Sequence, residues 1–176
     1  MAARAAPSLL DLAEPEDRVV VINSFSKAWA MTGWRLGWLV APKPIQDVAD
    51  KIVEFNTSGA PTFLQHAAVT AITEGEGFVA EMVERCRRGR DLVVAGLQRF
   101  PRVRVAAPDG AFYAFARIDG LEDSLAFAKE ALARVKVGLA PGVAFGLGGE
   151  GHVRLCFASA PERLAAALDR LAPLLR

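Results

Sequence analysis

The spacing of apolar residues changes several times along the chain, and each change marks an element. Residues 18–22, RVVVI, form a short β-branched run of the kind found in buried strands, and 36–40, LGWLV, read as a second strand. Thr32 and Gly33 between them supply turn chemistry, so 24–38 is expected as a loop joining two strands of one sheet. The prolines of APKP stop the second strand and start a helix over 44–55, NTSGAPT makes a loop over 56–62, and a helix follows over 62–73. A long helix is expected over 77–99, with Phe78, Met82, Cys86, Val93 and Leu97 at helical spacing and Gly89 interrupting the stripe. Pro101 ends it.

The period then drops to two. RVRV, a PDG turn and AFYAFARI read as a hairpin. A helix over 122–134, a strand KVGL, a Gly-rich loop over 140–151, the strand HVRLCFA and a last helix over 161–175 complete the pattern. The expectation is an α/β first half and a compact α+β second half, with the long helix bridging them.

Composition narrows the function classes. At 176 residues, 52% hydrophobic and 23% charged, the chain is of globular character and long enough to bury a core. A formal charge of +1 gives no field to steer it onto nucleic acid or a membrane surface, so neither is expected as a partner. Two cysteines are too few for a disulfide framework or a zinc site, no apolar run is long enough for a membrane helix, and MAARAAPSLLDL has too short an apolar core for a secretory signal. A reduced, cytoplasmic setting is expected.

Lys27 sits in SFSKAWAMTGWRLGW, among tryptophans and glycines. A lysine held in an apolar setting gives up part of its charge and can attack a carbonyl; the other reading is an ordinary lysine whose head reaches water. Arg35, on the same loop, makes a two-cation pocket for a phosphate-bearing aldehyde conceivable, with the amine taking the carbonyl and the guanidinium the phosphate. The hydroxyls of Ser24 and Ser26 can add hydrogen bonds or simply cap the turn. In HVRLCFA, Val153, Leu155 and Phe157 share one face and Arg154 points to the other with His152 and Cys156, either as a solvated strand arginine or as a fork for a carboxylate. The arginines at 85, 87, 88 and 90 read as a solvated helix face, Trp29, Trp34 and Trp38 as core, and His66 and His152 stand apart from any cluster that would hold a metal.

SFSKAWAMTGWRLGW followed by LVAP resembles the lysine signature of the pyridoxal-phosphate-dependent aminotransferases of classes I and II. Further blocks match in the same order: GAPTFLQHAA at 59–68, PDGAFYAF at 108–115, VGLAPGVAFG at 137–146 and GEGHVRLCFA at 149–158. The resemblance implies that Lys27 is the Schiff-base and proton-shuttling lysine, that Ser24 and Arg35, with Ser26 as a further candidate, bind pyridoxal phosphate, and that Arg154 binds the substrate α-carboxylate. It implies amino transfer between an α-amino acid and a 2-oxo acid by a homodimer. Other pyridoxal phosphate chemistry, such as β-elimination, and a non-enzymatic effector-sensing role remain open on the same scaffold. The family's upstream Gly-rich loop, stacking aromatic, Asn, and Asp with its following Tyr have no match here. The chain thus resembles the C-terminal portion of a fold-type-I α/β enzyme: 1–88 the end of the large, mainly parallel-sheet domain, 89–176 the α+β small domain. By itself it is expected to show little turnover.

Overall fold

A computed structural model describes residues 6–176, and the chain divides into two compact units, Met1–Met82 and Val83–Arg176, the dividing point falling within one helix. In the first unit, β1 (Val21–Ser24) and β2 (Gly37–Val40) pair antiparallel with Val21 opposite Val40 and Ser24 opposite Gly37. The expected strand is therefore shifted toward the lysine, and it is not buried: Ile22 is 78% exposed, because a two-stranded ribbon packs too little against either face. Gly37 is required for the pairing, since a Cβ there would run into the Asn23 carbonyl.

Helix α1 (Lys43–Thr57) starts with Pro44 in its first turn and ends where Ser58 turns left-handed at φ 54°. None of its residues is buried, and Phe55 is 90% exposed. Helix α2 (Thr62–Glu74) does contribute to a core: Ala68 packs with Phe25, Met31 and Leu36, joined by Leu64, Ala67, Ala71 and Trp29. Trp34 and Trp38 are 43% and 38% exposed, so of the three tryptophans expected in the core only Trp29 joins this cluster. Helix α3 spans Glu76–Gln98.

The second unit is built on a four-stranded antiparallel sheet in the order β3 (Val103–Arg104), β4 (Tyr113–Ile118), β6 (His152–Cys156), β5 (Ala140–Pro141). Its core joins Val93 and Leu97 of α3 to Ala114, Ala116 and Ile118 of β4, Val153 and Leu155 of β6, and Leu164, Leu168, Leu171 and Leu175 of α5 (Pro161–Leu175). Gly89 lets α3 approach the sheet: a Cβ there would meet the Phe157 carbonyl. The strand expected at KVGL lies instead at Ala140–Pro141. Helix α4 (Ser124–Glu130) runs on into a π-helical turn over Ala131–Val135 that ends with Lys136 left-handed, which takes up part of that segment. The Gly-rich stretch contains two 3-10 turns, Gly142–Phe145 and Leu147–Gly149. Arg85, Arg87 and Arg88 of α3 are solvated, as read, with Arg87 bridging Glu84 at 2.8 Å and Asp91 at 3.0 Å and Arg88 3.6 Å from Glu84, whereas Arg90 is half-buried, meets Asp91 at 2.8 Å and donates to the Pro108 carbonyl at 3.4 Å.

Candidate functional site

The loop between β1 and β2 is folded by its apolar residues. Phe25 is 3% exposed and its ring centroid lies 5.0 Å from those of both Trp29 and Trp38. Its N–H donates to the Leu36 carbonyl at 3.1 Å, which carries the hairpin one step beyond Ser24 and Gly37, and its carbonyl accepts from Met31 N–H at 3.3 Å. Ala30 N–H closes a tight turn on the Lys27 carbonyl at 3.2 Å. Phe25 and Trp29 thus turn inward on either side of Lys27, and Lys27 is exposed. That exposure agrees with the reading in which the lysine head reaches water, and the apolar residues around it anchor the turn that presents it.

The other expected residues lie at the same end of the hairpin. Ser24 Oγ accepts from Ser26 N–H at 3.1 Å and donates to Ser26 Oγ at 2.9 Å, a local turn cap that also places two hydroxyls side by side. Arg35 sits in the left-handed region at φ 53°, where a non-glycine residue is strained, and its Nη1 donates to the Thr32 carbonyl at 2.9 Å. One amine, two hydroxyls and one guanidinium are gathered on a single loop. That donor set suits a ligand carrying a carbonyl at one end and an anion at the other.

Arg154 belongs to the second unit. Phe115 of β4 stands opposite it on one side and Ala140 of β5 on the other. Val153, Leu155 and Phe157 are buried, so Arg154 faces the other side of the sheet, as the alternation predicts. There its Cζ lies 4.1 Å from the ring centroid of Tyr113 and 4.4 Å from that of Phe145. Phe145 contacts Phe115 edge-on at 5.7 Å, and Phe115 stacks on His152 at 4.8 Å with the rings 6° from parallel. His152 Nδ1 is 3.0 Å from the Glu150 carbonyl, which favours the tautomer protonated at that nitrogen. Among the described residues no acceptor hydrogen-bonds or ion-pairs with the Arg154 guanidinium, so a half-buried fork keeps its N–H donors open.

Tyr113 and Phe145 were not singled out from the sequence, although a signal was present. In YAFARI the small residues Ala114 and Ala116 point into the core while Tyr113, Phe115 and Arg117 point away. A strand with alanine inside and aromatics outside inverts the usual pattern, and that inversion marks an outer face in use. Among the described residues no three His, Cys, Asp or Glu side chains are grouped to hold a metal ion, and no helix is long and apolar enough to cross a membrane.

Residues 1–171 match the family model for aminotransferase class I and II. The aspartate aminotransferase of Musicola paradisiaca is 37% identical over 171 residues, covering 95% of this chain and 43% of that protein. Of the solved structures, the aspartate aminotransferase of Thermotoga maritima superposes with a TM-score of 0.86 at 38% identity, covering 96% of this chain and 43% of the other. The aromatic aminotransferase of Pyrococcus horikoshii gives 0.83 at 38% identity, over 89% and 42%. The chain therefore spans less than half the length of these relatives, and the part it spans has the fold-type-I architecture expected of it.

Proposed function

This chain belongs to the aminotransferase class I and II family, and we propose from that premise that the protein transfers an amino group between an α-amino acid and a 2-oxo acid with pyridoxal phosphate as cofactor. The observation that carries the reading is the gathering of Ser24, Ser26, Lys27 and Arg35 at one end of the β1–β2 hairpin. The donor set fits the cofactor at two points. The paired hydroxyls and the Arg35 guanidinium, oriented by the Thr32 carbonyl, suit a phosphate dianion, and the Lys27 amine suits an aldehyde. When bound, pyridoxal phosphate supplies that aldehyde carbon and an electron-withdrawing ring.

The chain's own residues then have separate tasks. Lys27, displaced by the amine of the substrate, takes up and returns a proton at Nζ. Exposure of its turn gives an incoming amino acid access to it. Arg35, Ser24 and Ser26 hold the anion and so fix where the aldehyde stands relative to Lys27. Arg154 takes the α-carboxylate of the substrate through its open in-plane donors. The reading extends to a cytoplasmic homodimer, which is supported by the family resemblance alone.

The test needs no turnover. Pyridoxal phosphate is added to the 176-residue chain, borohydride follows, and peptide mass mapping reads which amine was occupied. Five lysines compete (27, 43, 51, 129 and 136). Labelling is expected at Lys27 in preference to the other four, to vanish from that peptide in Lys27→Ala, and to need about tenfold more cofactor in Arg35→Ala, as for the loss of a charge-assisted hydrogen bond. Even labelling of all five lysines would defeat the proposal.

A further inference from the structure

We infer that Tyr113 and Phe145 are positioning residues for Arg154: their rings hold its guanidinium as a preset fork whose N–H groups stay free for a substrate carboxylate. This rests on the carboxylate-binding role proposed for Arg154 above.

The geometry brings the rings to the guanidinium from segments on either side of β6. Tyr113 is on β4, where Phe115 is the residue opposite Arg154, so Tyr113 is its diagonal neighbour on the same sheet face. Phe145 ends the 3-10 turn that follows β5, the strand paired with β6 along its other edge. That turn is held in place. Gly142 and Gly149 approach so closely that a Cβ on Gly142 would run into the Gly149 and His152 carbonyls, and Gly146 at φ 104° provides the bend that follows Phe145. Phe145 is further braced edge-on by Phe115, itself stacked on His152.

The choice of partners matters chemically. A long, flexible side chain that must be ordered when its ligand arrives weakens binding, and ordering it beforehand removes that loss. An aspartate or glutamate would order Arg154 too, but would neutralise the charge and occupy the N–H groups. Ring faces attract the cation while accepting no conventional hydrogen bond from its edge, so the fork is held with both its charge and its donors intact. The lack of any hydrogen-bonded acceptor on this guanidinium among the described residues is what such a design requires.

The test follows pyruvate binding to the uniformly 15N-labelled 176-residue chain through the Arg154 Nε–H signal, assigned by its loss in Arg154→Lys. Binding to Arg154→Lys itself is read from the backbone amides of β6. In Tyr113→Leu and Phe145→Leu, which keep apolar bulk and remove the ring, the Kd for pyruvate is expected to rise about fivefold each, the loss of one cation–ring contact. Tyr113→Phe keeps the ring and should stay within about twofold of the unmodified chain. Phe145 lies in an exposed turn, so Phe145→Leu carries the test if Tyr113→Leu unfolds. Leucine variants that bind pyruvate as the unmodified chain does, while Arg154→Lys binds weakly, would overturn the positioning role and leave the carboxylate role standing. A Tyr113→Phe loss as large as that of Tyr113→Leu would overturn it too, by assigning the effect to the hydroxyl. An Arg154 signal unmoved by pyruvate, or Arg154→Lys binding it equally well, would remove the carboxylate role and the positioning role with it.

Discussion

Replacing Gly89 by alanine should destabilise the second unit, although it removes a glycine from the middle of a helix. Helix propensity alone favours alanine by about 1 kcal/mol. Against this, the new Cβ runs into the carbonyl oxygen of Phe157 and comes within 3.3 Å of Leu164 Cδ1. The carbonyl is main chain just past the end of β6, and Phe157 is 1% exposed in the core, so neither can swing aside. Overpacking of a filled core costs about 1–3 kcal/mol, and a backbone obstacle puts this case at the upper value, for a net loss of about 2 kcal/mol. Gly96 on the same helix provides the comparison: its Cβ would meet Leu168 Cδ1, a side-chain end able to shift, so Gly96→Ala nets to about 0–1 kcal/mol. Hydrogen exchange of the β4 and β6 amides reads the difference. Exchange should quicken about thirtyfold in Gly89→Ala and less than about fivefold in Gly96→Ala. Exchange in Gly89→Ala as slow as in the unmodified chain would refute the reasoning. Because Phe157 follows directly on β6, the same substitution should also disturb the strand that carries Arg154.

Two further outcomes follow from the packing around α4. The Ser124 side chain foremost, then the Ser124 N–H that donates to the Glu150 carboxylate at 2.6 Å and the Gly151 N–H at 3.2 Å, hold its pKa below the usual carboxylate range. A folded pKa below the unfolded one means the stabilisation is complete above about pH 4.3 and is lost as the pH falls through the depressed folded value. Thermal melts of Glu150→Gln against the unmodified chain should therefore show a gap at neutral pH that closes in acid, and a gap independent of pH would count against the account. Asp123 caps α4 by accepting from Ala126 N–H at 2.8 Å, so Asp123→Ala should cost about 1 kcal/mol and speed α4 amide exchange about fivefold, with Asp123→Asn close to the unmodified chain.

The elements legible in advance were those whose pattern is complete within the element. Leu164, Leu168, Leu171 and Leu175 keep one face of α5 through its whole length and Pro161 opens it, so the helix read over 161–175 is found at Pro161–Leu175. Helices α2 and α3 are found within about a residue of where their spacing put them, within the ordinary scatter of helix ends. RVVVI was less informative. β-Branched residues favour extended backbone, but whether they are buried depends on what packs on them, and here a single antiparallel partner leaves Ile22 in solvent. KVGL failed for a related reason: the π-helical turn ends at Val135, one residue past the expected helix, Lys136 turns left-handed, and ladder pairing starts only at Ala140.

The two sets of candidate residues, one in each unit, differed in legibility for the same physical reason. Lys27, Ser24, Ser26 and Arg35 are close in sequence on one loop, so a contiguous motif could contain them all. Even there the sequence leaves two readings of the lysine open, since hydrophobic residues beside a lysine can anchor a turn as readily as they bury a charge, and only the direction of the Phe25 and Trp29 side chains separates the two. Arg154 could be placed on the outer face from the period of HVRLCFA, but its partners arrive from a different strand and from a turn beyond the opposite edge of the sheet. Searching for a charged partner would have missed them, because rings are neutral in the sequence. A binding cation that must keep its charge and donors is better served by aromatic neighbours than by carboxylates, so the feature to look for is an outward-facing aromatic on each element flanking the arginine's strand. Tyr113 and Phe145 satisfy that condition.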